Sequence, residues 1–351
     1  MAGTRSLVTG ANGFIASHLV EQLLERGDQV NTTVRSRTNA QKIQHLMQLQ
    51  KEYPGKLHLF EADLLTTGSF DEATKGCSVV YHVASPFILP EHIKDGQKEV
   101  VEPALRGTQN VLDAVERTES IKTVVLTSTI GAIAGDYADV LKMKDQVMTE
   151  EYFNSSSTVN HNAYHYAKVL AEKEAWERYD MQAKRHRWRL VVINPGLVLG
   201  PSRSPYSESG SLALLHELLK GDLFFGVPDL YFTTVDVREV VQAHIAAATN
   251  VKAHGRYILA HQDKAAFLDV SKILKELKQS WSLPEHKIPS WIVFLLGPLV
   301  GLEWKWLRLN LGIQFKVDNH RSIEELGIVY RPLKETLRDH YQSWLQTSSA
   351  K

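Results

Sequence analysis

The chain has 351 residues, 43% hydrophobic and 23% charged, the balance of a soluble globular protein with a substantial core rather than of a disordered chain. Lys plus Arg and Asp plus Glu each total 40, so no charge excess favours nucleic acid, an anionic membrane or a polyanionic substrate. One cysteine, Cys77, has no partner for an intramolecular disulfide, and no basic, apolar leader precedes the first strand; a reducing cytoplasmic setting is expected.

In chain order, the apolar run Ser6-Leu7-Val8 leads into Thr9-Gly10-Ala11-Asn12-Gly13-Phe14-Ile15-Ala16 and then into an amphipathic stretch from Ser17 to Glu25. Strand, glycine turn and helix start in that order predict a dinucleotide-phosphate cradle. Gly10 lets the chain turn without a Cβ penalty, and Gly13 lets a pyrophosphate approach main-chain N–H groups at the helix's positive pole. Gly10, Asn12, Gly13, Phe14 and Ile15 are thus candidate cofactor-binding residues.

Further strands are predicted over 29–34, 57–62, 79–83, 123–127 and 189–193, alternating with helical patterns around 17–25, 38–50, 69–74, 97–117 and 163–183. This alternation predicts an α/β protein: a Rossmann-type, doubly wound parallel sheet whose ligand site lies at the carboxyl ends of its strands. The second strand ends in Val34-Arg35-Ser36-Arg37, with Lys42 at the start of the next helix and no carboxylate to accept ribose hydroxyls. Arg35 and Lys42 suit a 2′-phosphate, and NADP(H) is the expected cofactor. Asp63-Leu64 ends the third strand, where a carboxylate can meet the adenine amino group. Val83-Ala84-Ser85 ends the fourth and offers small side chains where the cofactor passes close to the chain.

Thr127-Ser128-Thr129 ends the fifth strand, and Tyr164 and Lys168 lie four apart on the following helix, hence on one face. A phenol with a reference pKa of about 10 is a poor acid at neutral pH, and an adjacent ammonium is expected to lower that value. Together with a strand-end hydroxyl, such a pair can pass a proton to a carbonyl oxygen. His161 and His165 also have helical spacing, but no third ligand accompanies them and no metal site is expected. Lys184-Arg185-His186-Arg187 reads as a solvated helix end.

After Pro195 the pattern shifts to Gly200-Pro201-Ser202-Arg203-Ser204-Pro205, followed by a helix from Ser211 to Lys220. The expected division is a cofactor domain over 1–195 with a return segment over 234–260, and a smaller C-terminal substrate-binding lobe over 196–233 and 261–351. The most apolar window, Trp291 to Leu302, is interrupted by Gly297-Pro298 and Gly301. It falls short of the ~18 apolar residues of a membrane span and reads as a buried or substrate-lining helix pair.

Thr9-Gly10-x-x-Gly13-x-x-Ala16, Thr127-Ser128-Thr129 and Tyr164-x3-Lys168 resemble the extended short-chain dehydrogenases/reductases. Val34-Arg35, Lys42, Asp63-Leu64, His82 to Pro86, Asn194 to Pro201, Val235 to Arg238 and Glu325 to Pro332 are similar to the dihydroflavonol 4-reductase and aldehyde/ketone reductase branch. The resemblance implies that Tyr164 is the general acid, that Lys168 lowers its pKa and holds the nicotinamide ribose, and that Thr129 orients the carbonyl, with Ser128 as the alternative. It also implies that Pro195, Gly196, Leu197 and Val198 flank the nicotinamide. Ala134 stands where the plant enzymes carry an asparagine that reads flavonoid hydroxyls, which speaks against a dihydroflavonol substrate.

The expected activity is therefore NADPH-dependent reduction of a small-molecule carbonyl, with the C-terminal aromatics Trp291, Phe294, Trp304 and Trp306 suggesting a hydrophobic substrate. A nucleotide-sugar epimerase or dehydratase of the same fold is the alternative, although Ile130-Gly131 and Ile133-Ala134-Gly135 stand where those enzymes carry other residues. A non-catalytic NADP-binding regulator would have no need of Thr129, Tyr164 and Lys168. A membrane-associated hydroxysteroid dehydrogenase would rest on residues 291–302 alone.

Overall fold

The computed structural model describes residues 4–86, 93–182, 187–207 and 209–348. Seven strands form one sheet: β1 (Arg5–Val8), β2 (Gln29–Val34), β3 (Leu57–Glu61), β4 (Val79–His82), β5 (Thr123–Thr127), β7 (Arg189–Pro195) and β11 (Gly255–Leu259). Their order is β11-β7-β5-β4-β1-β2-β3, and every neighbouring pair is parallel. Parallel strands covered on both faces read as continuous apolar runs rather than alternating ones. Accordingly, Leu7, Val8, Val80, Val125 and Val191 are fully buried.

On one face α1 (Phe14–Glu25), α2 (Ala40–Glu52) and α8 (Val237–Thr249) share a core containing Leu19, Val20, Leu46, Val240 and Tyr257. On the other, α3 (Asp71–Thr74), α4 (Glu102–Arg117) and α6 (Ala163–Gln182) enclose Phe70, Val111, Leu112, Ala175 and Trp188. α5 (Tyr137–Val140) and the paired strands β6 (Val147–Met148) and β13 (Lys316–Val317) pack beside β11 with Ile133, Ile258 and Phe315.

Two further strand pairs, β8 (Leu197–Leu199) with β10 (Thr234–Asp236) and β9 (Tyr231–Phe232) with β12 (Ala265–Ala266), lead into a C-terminal lobe. The lobe consists of α7 (Gly210–Lys220), α9 (Phe267–Lys278), α10 (Ser290–Leu296), α11 (Trp304–Asn310) and α13 (Leu333–Ser348), while α12 (His320–Glu324) returns to pack on β11. The lobe has its own core, including Leu215, Leu218, Phe267, Leu274 and Leu337.

Several elements depart from the sequence expectation. α1 begins at Phe14, directly after its N-cap Gly13, so the glycine turn and first helical turn overlap. The pattern over 97–117 divides into a wide π-turn, Gln97–Val101, and α4, because Pro103 near the start of α4 has no N–H to give to a regular turn. Residues 184–186 lie outside the described residues; Arg187 donates its N–H to Gln182 Oε1.

The Trp291–Leu302 window is neither buried nor a long helix pair. α10 stops at Gly297-Pro298 after two turns, and its side rests on α11 through a stacked Phe294–Trp304 pair. The outer face stays open, with Trp291 68% and Leu299 81% exposed. Among the described residues no helix is long and apolar enough to cross a membrane.

The junction between sheet and lobe is held by Asp236, which N-caps α8. Its buried carboxylate accepts from the Arg238 main-chain N–H at 2.9 Å, the Arg238 guanidinium at 2.9 and 2.7 Å, and Thr336 Oγ1 at 2.8 Å. Asp236→Ala strands the donors of α8 and α13 together, and is expected to lower the unfolding free energy by about 2–3 kcal/mol. Urea denaturation measures it, and a loss under about 0.5 kcal/mol would show the cap to be incidental.

Candidate active site

The carboxyl ends of β1, β4, β5 and β7 meet on one edge of the sheet, and the predicted residues fall there. Gly10 has φ +71, and a Cβ at this position would lie 2.9 Å from the Ala84 Cβ; both its backbone and its neighbour demand glycine. The loop is pinned by two threonines, Thr9 at its start and Thr33 on β2. Thr9 Oγ1 accepts from the N–H groups of Val83 and Ala84 at 3.1 and 3.0 Å and lies 3.1 Å from His82 Nδ1. Thr33 accepts the Gly10 N–H through its hydroxyl and the Ala11 N–H through its carbonyl.

Gly13 supplies no side-chain cap, and the first turn of α1 contains no acidic residue. The first-turn amides from Phe14 onward, which the helix itself cannot satisfy, therefore face the loop ready for a phosphate. The Asn12 carbonyl lies 3.5 Å from Ser207 Oγ of the segment leading to the lobe. These features fit a dinucleotide, whose pyrophosphate would be held by the α1 amides.

Arg35 and Arg37 are exposed at the tip of β2, with Lys42 on the first turn of α2, whose main-chain N–H is capped by Asn39. One carboxylate does reach this tip: Glu61, paired with Val34 across the β2–β3 register, accepts the Arg37 N–H at 3.1 Å. It comes from the neighbouring strand, so inspection of β2 alone misses it. Asp63 uses one carboxylate oxygen to hold the Leu65 N–H at 2.8 Å. Leu64 packs on Gly107 of α4 and gives its carbonyl to Asn110. Ser85 is half-buried beyond β4.

On β5, the three hydroxyls separate. Thr127 Oγ1 bonds the buried His244, and Ser128 Oγ turns inward to Glu172 Oε2 at 2.5 Å. Ser128 is thereby removed as a group able to meet a ligand. Thr129 remains half-buried; it receives the Gly131 N–H at 3.2 Å and donates to the Pro195 carbonyl at 3.4 Å. Pro195 ends β7, and Leu197 and Val198 begin β8. Gly196 between them is held by the lobe's backbone, since a Cβ there would lie 2.3 Å from the Thr233 carbonyl oxygen.

Lys168 is buried on α6 and donates to the Thr127 carbonyl at 3.0 Å. Burial pushes its pKa down to about 8, against the opposing pull of Glu172. Tyr164 lies one turn earlier and is half-buried; among the described residues no hydrogen bond holds its hydroxyl. Burial pushes its pKa up to about 12. The shift runs opposite to the expected lowering by Lys168, because burial of the phenol disfavours the phenolate. The phenol therefore keeps its proton at neutral pH.

His161 and His165 do not share a helix face. His161 precedes α6, with Nε2 2.8 Å from Asp136 and Nδ1 3.3 Å from Glu303, whereas His165 Nδ1 bonds the Gly135 carbonyl and its ring fills the space above Gly131. Cys77 is fully buried, and burial pushes its thiol up to about 12. A cleft of about 1320 Å³ lies against the outer side of α6 and includes Phe153, Trp176, Arg256 and Arg321. It touches none of Gly10, Thr129, Tyr164 or Lys168.

A protonated phenol one turn from a buried ammonium, at the sheet edge where helix amides await a dinucleotide, is the equipment of a short-chain dehydrogenase/reductase. The chain belongs to the NAD dependent epimerase/dehydratase family, whose model matches residues 6–260. Cinnamoyl-CoA reductase CAD2 of Medicago truncatula is 40% identical over 340 residues, covering 96% of this chain and 94% of that protein. Bifunctional dihydroflavonol 4-reductase/flavanone 4-reductase of Malus domestica is 33% identical over 322 residues, covering 92% and 87%.

Among solved structures, the NADPH complex of the yeast methylglyoxal/isovaleraldehyde reductase Gre2 matches with a TM-score of 0.77 at 27% identity, over 99% of this chain and 100% of that one. The expected class holds: an NADP-dependent oxidoreductase of the extended short-chain type, similar to the dihydroflavonol 4-reductases.

The exposed cations at the β2 tip carry a test of cofactor choice. Arg35→Ala is expected to raise KM for NADPH about 10-fold, the loss of one charge-assisted contact, while KM for NADH stays within about 2-fold. Steady-state kinetics with both cofactors decide it, and an unchanged ratio removes Arg35 from phosphate recognition.

Proposed function

We propose that the chain reduces the carbonyl of a hydrophobic or aromatic small molecule with NADPH, with Tyr164 as the general acid. The observation that carries this reading is the Tyr164–Lys168 pair on α6, set beside the half-buried Thr129 hydroxyl, held only by backbone groups, just past the carboxyl end of β5. Bound at the glycine loop, NADPH supplies a hydride to the carbonyl carbon.

The rest falls to the chain. The Thr129 hydroxyl donates a hydrogen bond to the carbonyl oxygen and fixes its direction. As the C=O electron pair shifts to oxygen, Tyr164 transfers its phenolic proton there, and the developing phenolate is stabilised by the Lys168 ammonium. A phenol held near 12 in the chain alone is a reservoir of that proton; the ammonium makes its release easier as negative charge develops.

Ser128 takes no direct part in this scheme. Pro195 to Val198 would border the nicotinamide, and the C-terminal lobe would supply the substrate's surroundings. The open positions of Trp291 and Trp304 weaken their use as pocket walls, so the aromatic preference rests on the named substrates of the relatives. Ala134, buried among Ile133, Val140 and Met143, presents no polar group to a ring hydroxyl, which favours a carbonyl other than a dihydroflavonol. A reducing, cytoplasmic setting accords with a single buried thiol.

Tyr164→Phe is expected to lower kcat about 1,000-fold and to leave the NADPH Kd, read by fluorescence titration, within about 2-fold. Turnover retained at more than about a tenth of wild type would exclude the phenol as acid. In the wild type, kcat should fall as pH rises through about 8, where Lys168 sheds its proton, well below the ordinary lysine value of 10.5. A profile flat to about pH 10 removes the ammonium from the mechanism.

A further inference from the structure

Glu172 continues the column of Tyr164 and Lys168, one more turn along α6, and its side chain is wholly buried. A carboxylate shut away from water is costly unless every lone pair is met. Here they are met by groups that flank the site residues. Ser128, immediately before Thr129, donates to Oε2 at 2.5 Å. Asn194, immediately before Pro195, divides its amide N–H groups between Oε2 at 3.0 Å and the Thr129 carbonyl at 3.0 Å.

Arg256 of β11 donates through Nε to Oε1 at 2.5 Å and through Nη2 to Oε2 at 3.4 Å, and its Nη groups also donate to the carbonyls of Ala132, Glu150 and Tyr152, on the segment that follows Thr129. Trp176 Nε1 completes the set at 3.3 Å. One carboxylate thus joins β5, β7 and β11 to the helix that carries the phenol and the ammonium.

The geometry points to Glu172 as a positioning residue for the reduction: paired with Arg256, it sets the Thr129 strand end against Tyr164 and Lys168 and gives the Lys168 ammonium its countercharge. This inference rests on the Tyr164–Lys168 reading and extends it to residues outside the motifs.

The other groups facing Lys168 carry no compensating negative charge. They are Tyr164 on α6, the Thr127 carbonyl and Ser128 on β5, Thr108 on α4 and His82 on β4, the last four around a chamber of about 10 Å³. His82 is held neutral, its pKa pushed down to about 3 by burial and by the charge of Lys168. Arg256, beyond Glu172, opposes the countercharge without cancelling it at Lys168. Removing the negative member of the ion pair and removing the positive member must therefore move Lys168 in opposite directions.

The test uses the full-length enzyme with NADPH and the best carbonyl substrate found for the wild type. Glu172→Gln is expected to lower kcat about 10-fold to 100-fold through misplacement of the reacting groups. It is also expected to shift the alkaline fall of kcat about one pH unit downward through loss of the countercharge. NADPH binding at pH ~6, where Lys168 is charged in both proteins, should stay within about 2-fold, while its alkaline weakening shifts downward with kcat.

Arg256→Gln should move the same limb upward. Limbs that stay in place, or that move in one direction in both variants while circular dichroism and melting show intact folds, overturn the proposal. If only one variant folds, the sign of its shift decides. Loss of the Tyr164 reading is seen separately, as turnover by Tyr164→Phe, and leaves the pH dependence of NADPH binding in Glu172→Gln as the measure of the countercharge.

Discussion

Running every strand of the sheet in parallel brings all their carboxyl ends to a single edge, and this constraint governs most of what the chain can do. The two helix layers close over Leu7, Val80, Val125 and Val191, which leaves the edge as the place where polar groups can remain accessible. Gly10, Ala84, Thr129 and Pro195 are far apart in the sequence, yet each lies at or within two residues of a strand's carboxyl end and so arrives at the same edge. The close approach of Gly10 to Ala84 shows how little space is left between adjacent strand ends.

Within that edge, desolvation divides chemically similar groups. Three successive residues, Thr127, Ser128 and Thr129, have three different partners: a histidine, a carboxylate and a half-open recess. Their separation follows from the strand ending at Thr127 and the chain turning at Thr129, which caps the short turn Ile130–Ala132. The same burial moves the acid and its neighbour in opposite senses: the phenol is held protonated and the ammonium is made easier to deprotonate. The Glu172–Arg256 pair belongs to this balance, because a lone buried ammonium would have little to hold its charge.

The relatives narrow the chemistry without selecting a substrate. Relatives over nearly the whole chain are named for cinnamoyl-CoA and dihydroflavonol reduction, and the methylglyoxal/isovaleraldehyde reductase Gre2 shares the fold, so the carbonyl owners named among the relatives differ widely. The lobe has a separate core and is joined to the sheet through the polar junction around Asp236. A lobe so attached can vary in its binding surface while the sheet edge keeps its chemistry.

The sequence by itself determined the alternating fold, the glycine cradle, the strand-end threonine and the Tyr164–Lys168 spacing, because all of these are local signals: periodicity, a turn that only glycine allows, and residues one helical turn apart. Only the tertiary structure decided which hydroxyl stays accessible, that Glu61 reaches the tip of its neighbour strand, that Thr9 and Thr33 pin the glycine loop, and that the apolar window from Trp291 lies open. It also decided the direction of the Tyr164 shift and the meeting of Ser128, Asn194 and Arg256 on Glu172. Those outcomes depend on burial and on partners brought from distant strands, and no spacing along the chain encodes either.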